Sequence, residues 1–262
     1  MKIAAGVEYR GTYFAGWQRQ HHAPSVQEHV EQALSIVADH KVITVCAGRT
    51  DTGVHAVQQV IHFETSANRP DHSWVLGCNA NMQSDVCLRW AMPVDGSFHA
   101  RFSALSRTYR YVILNRKYRS GITHGLVAWE HRPLDAGLMA RAAADLIGAH
   151  DFTSYRAVAC QANNPVREIR RLDVTREDQY VFIEIEADGF LHHMVRNIAG
   201  VLIAIGKMDR DLNWASKILH ARDRNKGGVT APPGGLYLLD VEYPEKFGIP
   251  NPAYEGRILL TV

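Results

Sequence analysis

No stretch of this sequence approaches the run of about 18 apolar residues that a membrane-spanning helix requires, so it reads as a soluble chain with no membrane association. Cysteine is scarce and scattered. Cys46, Cys78, Cys87 and Cys160 form no C-x-x-C pair, which argues against a zinc site or a disulfide framework and for reduced thiols in a reducing compartment. The apolar residues after Met1-Lys2 are soon interrupted by Glu8 and Arg10. No signal peptide is therefore expected, and the predicted location is cytoplasmic. Also missing are a P-loop, a G-x-G-x-x-G dinucleotide fingerprint and a G-x-S-x-G nucleophile elbow.

The most telling absence is local. Between Gly96 and Trp129 there is no Asp or Glu, while Arg101, Arg107, Arg110, Arg116, Lys117 and Arg119 all fall inside. A second basic group, Arg167, Arg170 and Arg171, comes later, with Arg156 upstream of it. The formal net charge is only +2, so it is the sorting of charge that points to a polyanion partner. The alternative is a set of solvated faces paired with acids from elsewhere in the fold.

What is present is ordinary globular material: 262 residues, 46% hydrophobic and 21% charged, enough for one large domain or two modest ones. Ile3, Ala5, Val7 and Tyr9 alternate as a half-buried strand does. Ser25 followed by Glu28 is a capping box, and Val26, Val30, Ala33, Leu34 and Val37 form the apolar face of the helix it opens. Strands are expected over 42–46, 58–63, 86–91, 106–114, 166–175, 180–187 and 236–241. Helices are expected over 70–80, from Asp135 to 147, from about His192 to 205, and after a cap at Asp211. This order predicts an α+β protein of two similar halves, 1–95 and 96–245, each with helices on a mainly antiparallel sheet, and an irregular tail over 246–262. In the strand from Ser106, Arg107, Tyr109, Tyr111 and Ile113 share one face, either a covered sheet face or a stacking platform for bases.

Two stretches invite chemistry. In Gly48-Arg49-Thr50-Asp51-Thr52-Gly53 a strand-like run ends in charged residues between glycines, where the backbone must turn sharply or let something approach closely. An ordinary polar hairpin loop would look the same. The second is the helix after His192-His193, where Arg196 is a permanent charge among apolar neighbours. Such a charge requires a carboxylate or phosphate partner, and Asp51 is the candidate; a purely structural ion pair is the alternative. Adjacent histidines on one helix face cannot share a metal, which takes i, i+4 spacing, so no metal is assigned. Asp51-Thr52-Gly53 also matches the aspartic-protease tripeptide. That reading needs two aspartates in an all-β setting, and the sequence has one copy in helix-rich surroundings.

Taken together, Gly48-Arg49-Thr50-Asp51-x-Gly53-Val54-His55-Ala56, Gly16-Trp17-Gln18-x-Gln20, Ser25-Val26-Gln27, Phe98-His99-Ala100-Arg101-Phe102-Ser103-Ala104, Tyr109-Arg110-Tyr111, Asp151-Phe152-Thr153-Ser154, His192-His193-Met194-Val195-Arg196-Asn197 and Gly235-Leu236-Tyr237-Leu238 resemble the tRNA pseudouridine synthase A family, in family order and over nearly the whole chain. Thr52 departs from the alanine usual there, and Tyr155 from phenylalanine. The resemblance implies the pseudouridine synthase fold, with its two halves facing a central basic cleft. It also implies isomerisation of uridine to pseudouridine at positions 38, 39 and 40 of the tRNA anticodon stem-loop, without cofactor or metal, by a homodimer. Asp51 matches the catalytic aspartate, Tyr109 the tyrosine that lies against the target uracil and could serve as a general base, Arg196 the arginine that pairs with the aspartate, and Arg49 the arginine near the flipped nucleotide. The competing readings are a non-catalytic RNA-binding module and a synthase acting on another RNA.

Overall fold

Short β-branched and aromatic runs set off by turn residues favour strands along this chain. The computed structural model describes residues 1–250, so 251–262 of the expected tail lie outside the described residues. The strands are β1 (Lys2–Tyr9), β2 (Val45–Cys46), β3 (His55–Glu64), β4 (Val86–Pro93), β5 (Ser106–Asn115), β6 (Ala128–Glu130), β7 (Gly148–Asp151), β8 (Val166–Glu177), β9 (Tyr180–Ala187) and β10 (Leu236–Glu242). The helices are α1 (Val26–Ala38), α2 (Asp71–Ala80), α3 (Ala136–Ala144), α4 (Met194–Gly206) and α5 (Trp214–Ala221). None of these helices is long and apolar enough to cross a membrane.

The fold is α+β with a mostly antiparallel sheet, ordered β4-β1-β3-β10-β5-β9-β8-β7, with β2 on β3 and β6 on β5. Only β3–β10 and β5–β6 are parallel among the pairs of described strands. The β3–β10 pair, Tyr237 beside His55 and Leu238 beside Ala56, runs the strands of both halves into one sheet. Helix α1 packs on α2 and α2 on β4, while α3 and α4 pack together, α3 on β8 and α4 on β5. Trp17, Trp74, Tyr111 and Tyr155 are fully buried anchors of the core.

Local signals explain the helix starts. Ser25 Oγ accepts from Glu28 N, and the Asp135 carboxylate accepts from Leu138 N at 2.9 Å, each such cap worth about 1 kcal/mol. Several expected bounds differ: β2 is confined to Val45–Cys46 rather than 42–46, and β3 begins at His55 rather than 58. Helix α3 stops at Ala144 rather than 147, because Leu146 turns into the core and Gly148, at φ +104°, opens β7. Helix α5 has Asn213 rather than Asp211 at its N-cap, and Asp211 instead forms an ion pair with Lys217 at 2.6 Å.

Strand β5 settles which reading of its faces holds. Tyr109, Tyr111 and Ile113 are buried, so that face is covered rather than an open platform. On the other face Val112 joins Val57, Phe182, Tyr237 and Leu239 in a small apolar cluster. Arg110 and Arg171 both meet Glu184 there at 2.6 Å, and Arg170 meets Glu242 at 3.5 Å. That part of the basic sorting is balanced by acids from neighbouring strands.

Candidate active site

The loop between β2 and β3 is gripped on both sides. Gln59 accepts from Gly48 N at 3.3 Å and donates to Gly48 O at 2.5 Å. Thr50 O accepts from Trp17 N at 3.0 Å, and its hydroxyl meets Tyr9 OH at 2.7 Å. Gly53 N donates to Phe14 O, and Val54 N closes the turn onto Asp51 O. Gly53 has φ +76°, the left-handed conformation that glycine adopts at low cost. Gly48 is different: a Cβ there would meet only Tyr109 Oη at 3.8 Å. Thr50 is buried, Asp51 is half-buried and Thr52 faces out. The aspartate is thus the one side chain of that tripeptide that is partly covered and still reachable.

His55, at the start of β3, turns away from this centre. Its Nδ1 accepts from Gly11 N at 2.9 Å, so Nε2 carries the proton and donates to the carbonyls of Gly125 at 3.0 Å and Gly234 at 3.2 Å. The ring stacks on Tyr237 at 4.6 Å. Burial pushes its pKa down to about 4, against the pull of the two carbonyls. It is a neutral staple joining three loops to the middle of the sheet.

The other half of the site comes from the approach to α4. This helix begins at Met194 rather than at His192, because His193 takes a left-handed conformation at φ 62°. The two histidines therefore precede the helix, and the objection that one helix face cannot aim both at one point does not apply. His192 Nε2 lies 3.3 Å from Asp51 Oδ1 and His193 Nε2 lies 3.4 Å from Oδ2. Arg196, in the first turn, places Nη1 3.3 Å from Asp51 Oδ2. Its Nε donates to Ala231 O at 2.8 Å, while Ala231 N donates to Arg196 O at 3.1 Å. Burial pushes the His193 imidazole below its ordinary pKa, the Asp51 charge opposing.

Donor atoms of Asp51, His192 and His193 lie within 4.8 Å of one another, a spacing that could hold an ion. The Arg196 guanidinium on the same carboxylate puts a fixed positive charge beside that point, which favours an acid–imidazole–guanidinium cluster over a cation site. Tyr109 is buried beneath the loop, its ring packed edge-on against Phe190 at 5.0 Å. Burial, and secondarily the Asp51 charge, push the Tyr109 phenol well above its ordinary range. It is a neutral hydroxyl at physiological pH and a poor proton acceptor. Arg49 is exposed and, among the described residues, makes no hydrogen bond or ion pair.

Asp51, Arg196 and Tyr109 are thus brought together from three distant segments, with Arg49 on the carboxylate's own loop. Sequence reasoning named His192 and His193 but assigned them no part beside Asp51, since the left-handed turn at His193 leaves no pattern in residue types. Arg107 was named for its charge and its strand face, but not for a tie to the loop. Its guanidinium reaches Ala47 O at 3.1 Å and Arg101 O at 2.7 Å, tying β5 to the loop.

A firmly held loop bearing a carboxylate, met by arginine and tyrosine across a mixed sheet, fits an RNA-modifying isomerase. A family model described as tRNA pseudouridine synthase matches residues 5–103 and 142–244, and the chain belongs to that family. It is 53% identical over 251 residues to tRNA pseudouridine synthase A of Nitrosococcus oceani, covering 96% of this chain and 97% of that one. To the protein of that name from Shewanella denitrificans it is 51% identical over 261 residues, covering 99% and 100%. To the one from Hydrogenovibrio crunogenus it is 49% identical over 249 residues, covering 95% of each. A solved Cbf5-Nop10-Gar1 complex contains a chain that aligns at 11% identity and a TM-score of 0.34, over 77% of this chain and 45% of that one. So slight a likeness adds nothing to the assignment.

Proposed function

We propose that this enzyme isomerises uridine to pseudouridine in the tRNA anticodon stem-loop, at positions 38, 39 and 40, with Asp51 as its catalytic carboxylate. The observation that carries the reading is the half-buried Asp51 carboxylate, 3.3 Å from Arg196 and within 3.4 Å of His192 and His193. In the reaction the N1–C1′ bond breaks, the uracil turns over, and a C5–C1′ bond forms. N1 gains a proton and C5 loses one. A nucleotide within a stem must first leave the stack, at a cost of a few kcal/mol. Arg49, with no partner among the described residues, is suited to the displaced nucleotide's phosphate or to the gap left behind. Arg196 holds the carboxylate, and Tyr109 is the residue proposed to meet the base, as the family resemblance implies. The raised Tyr109 pKa favours a hydrogen-bonding and packing role for that hydroxyl over proton abstraction.

The test is release of tritium from tRNA labelled at C5 of uridine. The wild-type chain should release it, and Asp51→Asn should lose at least about 10⁴-fold in rate, the scale of other catalytic-unit knockouts. Salt-sensitive tRNA binding without release would favour a non-catalytic RNA-binding module. Release from another RNA alone, or unchanged pseudouridine at positions 38–40 in a deletion strain, would move the substrate elsewhere.

The same reading carries a homodimer in the cytoplasm, each subunit divided at about residue 95. Sedimentation of the purified chain, limited proteolysis between 93 and 96, and cell fractionation test these in turn.

A further inference from the structure

The segment Phe98-His99-Ala100-Arg101-Phe102 divides two phenylalanines sharply. Phe98 is 0% exposed and packs on Tyr243 and Phe247, while Phe102 is 76% exposed. Single exposed apolar residues are common and need no explanation, but this one is mounted. His99 stacks under it with ring centroids 4.3 Å apart and planes 29° apart. The Arg101 guanidinium carbon lies 5.5 Å from the Phe102 centroid. His99 Nδ1 accepts from the backbone N–H groups of Arg101 at 3.2 Å and Phe102 at 3.1 Å, and Ser103 N returns to His99 O at 2.9 Å. The base of the turn is fixed at Ala100, whose O accepts from Tyr243 at 2.6 Å and whose N donates to His62 at 3.1 Å. The ring is held rigidly with its outer side in water.

Its position is not arbitrary. The Arg107 guanidinium bridges Arg101 O and Ala47 O, so this turn is tied to the loop that carries Asp51. The charges of Arg49 and Arg101 both act on the Cys46 thiol. A preorganised aromatic face flanked by cations is the combination that binds single nucleobases: the π-face takes the base and the cations take its phosphates. An extracted nucleotide leaves its neighbours short of a stacking partner. We propose that Phe102, backed by His99 and flanked by Arg101, is a stacking platform for a nucleobase next to the extracted uridine. This rests on the reading of the chain as a uridine isomerase and adds a binding subsite to it.

The experiment uses a synthetic tRNA anticodon stem-loop with 2-aminopurine beside the target uridine, bound to the Asp51→Asn chain so that binding is read without chemistry. Phe102→Ala in that background should weaken binding about 5- to 150-fold, the range of one base–aromatic stack. Phe102→Leu should be nearly as weak and Phe102→Trp close to the parent. The 2-aminopurine fluorescence should be quenched by the parent but not by Phe102→Ala. Thermal midpoints should be unchanged, since the ring is outside the core. Equal affinity of the parent and Phe102→Ala, or full binding by Phe102→Leu, overturns the platform. Tritium release by the wild-type chain is scored separately. Its absence sinks the isomerase reading, whereas normal release with a flat Phe102 series sinks only the stacking subsite.

Discussion

Asp51 Oδ2 and Arg196 Nη1 stand 3.3 Å apart although 145 residues separate them in the chain. The contact crosses from the β2–β3 loop to the first turn of α4. The same guanidinium is fixed at its other end by Ala231 O. Arginine is suited to this because its donors lie in a rigid plane, so one end can be anchored while the other is aimed.

Replacing Arg196 by Ala should therefore cost both turnover and stability. Removing it leaves a half-buried carboxylate and a carbonyl without their donor, about 1–3 kcal/mol of unfolding free energy. Arg196→Lys should recover part of the stability and little of the turnover, since one ammonium cannot hold both ends. Tritium release and urea denaturation measure the two effects. Full turnover by Arg196→Ala would show that the ion pair serves folding alone.

Gly200 offers a test that leaves every charged group in place. A Cβ at this position in α4 would lie 1.9 Å from Val229 O, a backbone atom that cannot move by itself. Gly200→Ala should push the 229–231 segment off the helix and, through Ala231, disturb Arg196. Overpacking of this kind costs about 1–3 kcal/mol. A lower melting temperature together with slower isomerisation is the expected result; slower isomerisation without loss of stability would point to a different route.

Stability should also fall on mild acidification. His55 has a pKa of about 4 in the folded chain against an ordinary 6.5, with burial the main cause. Between those values the unfolded chain binds the proton and the folded chain resists it. The stabilisation is thus complete above pH 6.5 and declines as pH falls toward 4, by about 3 kcal/mol in all. His62, also near 4 through burial, acts in the same direction. Denaturation midpoints at pH 7 and pH 5 should differ in the wild type and differ less in His55→Gln.

Regular, local features were legible in the sequence. The Ser25 cap, the run of α1, the faces of β5 and the need of Arg196 for a carboxylate follow from spacing and residue type, and each reappears in the fold. Features set by distant neighbours were not legible. β6 and β7 are too short to show a period. The acids that balance Arg110 and Arg171 come from other positions in β8 and β9, and charge runs along the chain cannot reveal them. His55 stands two residues after Gly53, and sequence proximity to that loop does not say which way its side chain turns. The helix at Arg196 was expected to begin earlier because a left-handed residue such as His193 has no compositional mark.

The parallel ladder between β3 and β10 has a consequence for how the molecule is assembled. β10 enters between β3 and β5, and it is the last strand of the described chain. During synthesis the stretches of the β3 and β5 edges that β2 and β6 leave uncovered stay open until β10 has emerged. Sheet completion is therefore a late, long-range step, of the kind that slows folding and leaves unpaired edges exposed to other chains. A nascent chain stalled before Leu236 would present two apolar strand edges at once, and chaperone capture should concentrate there.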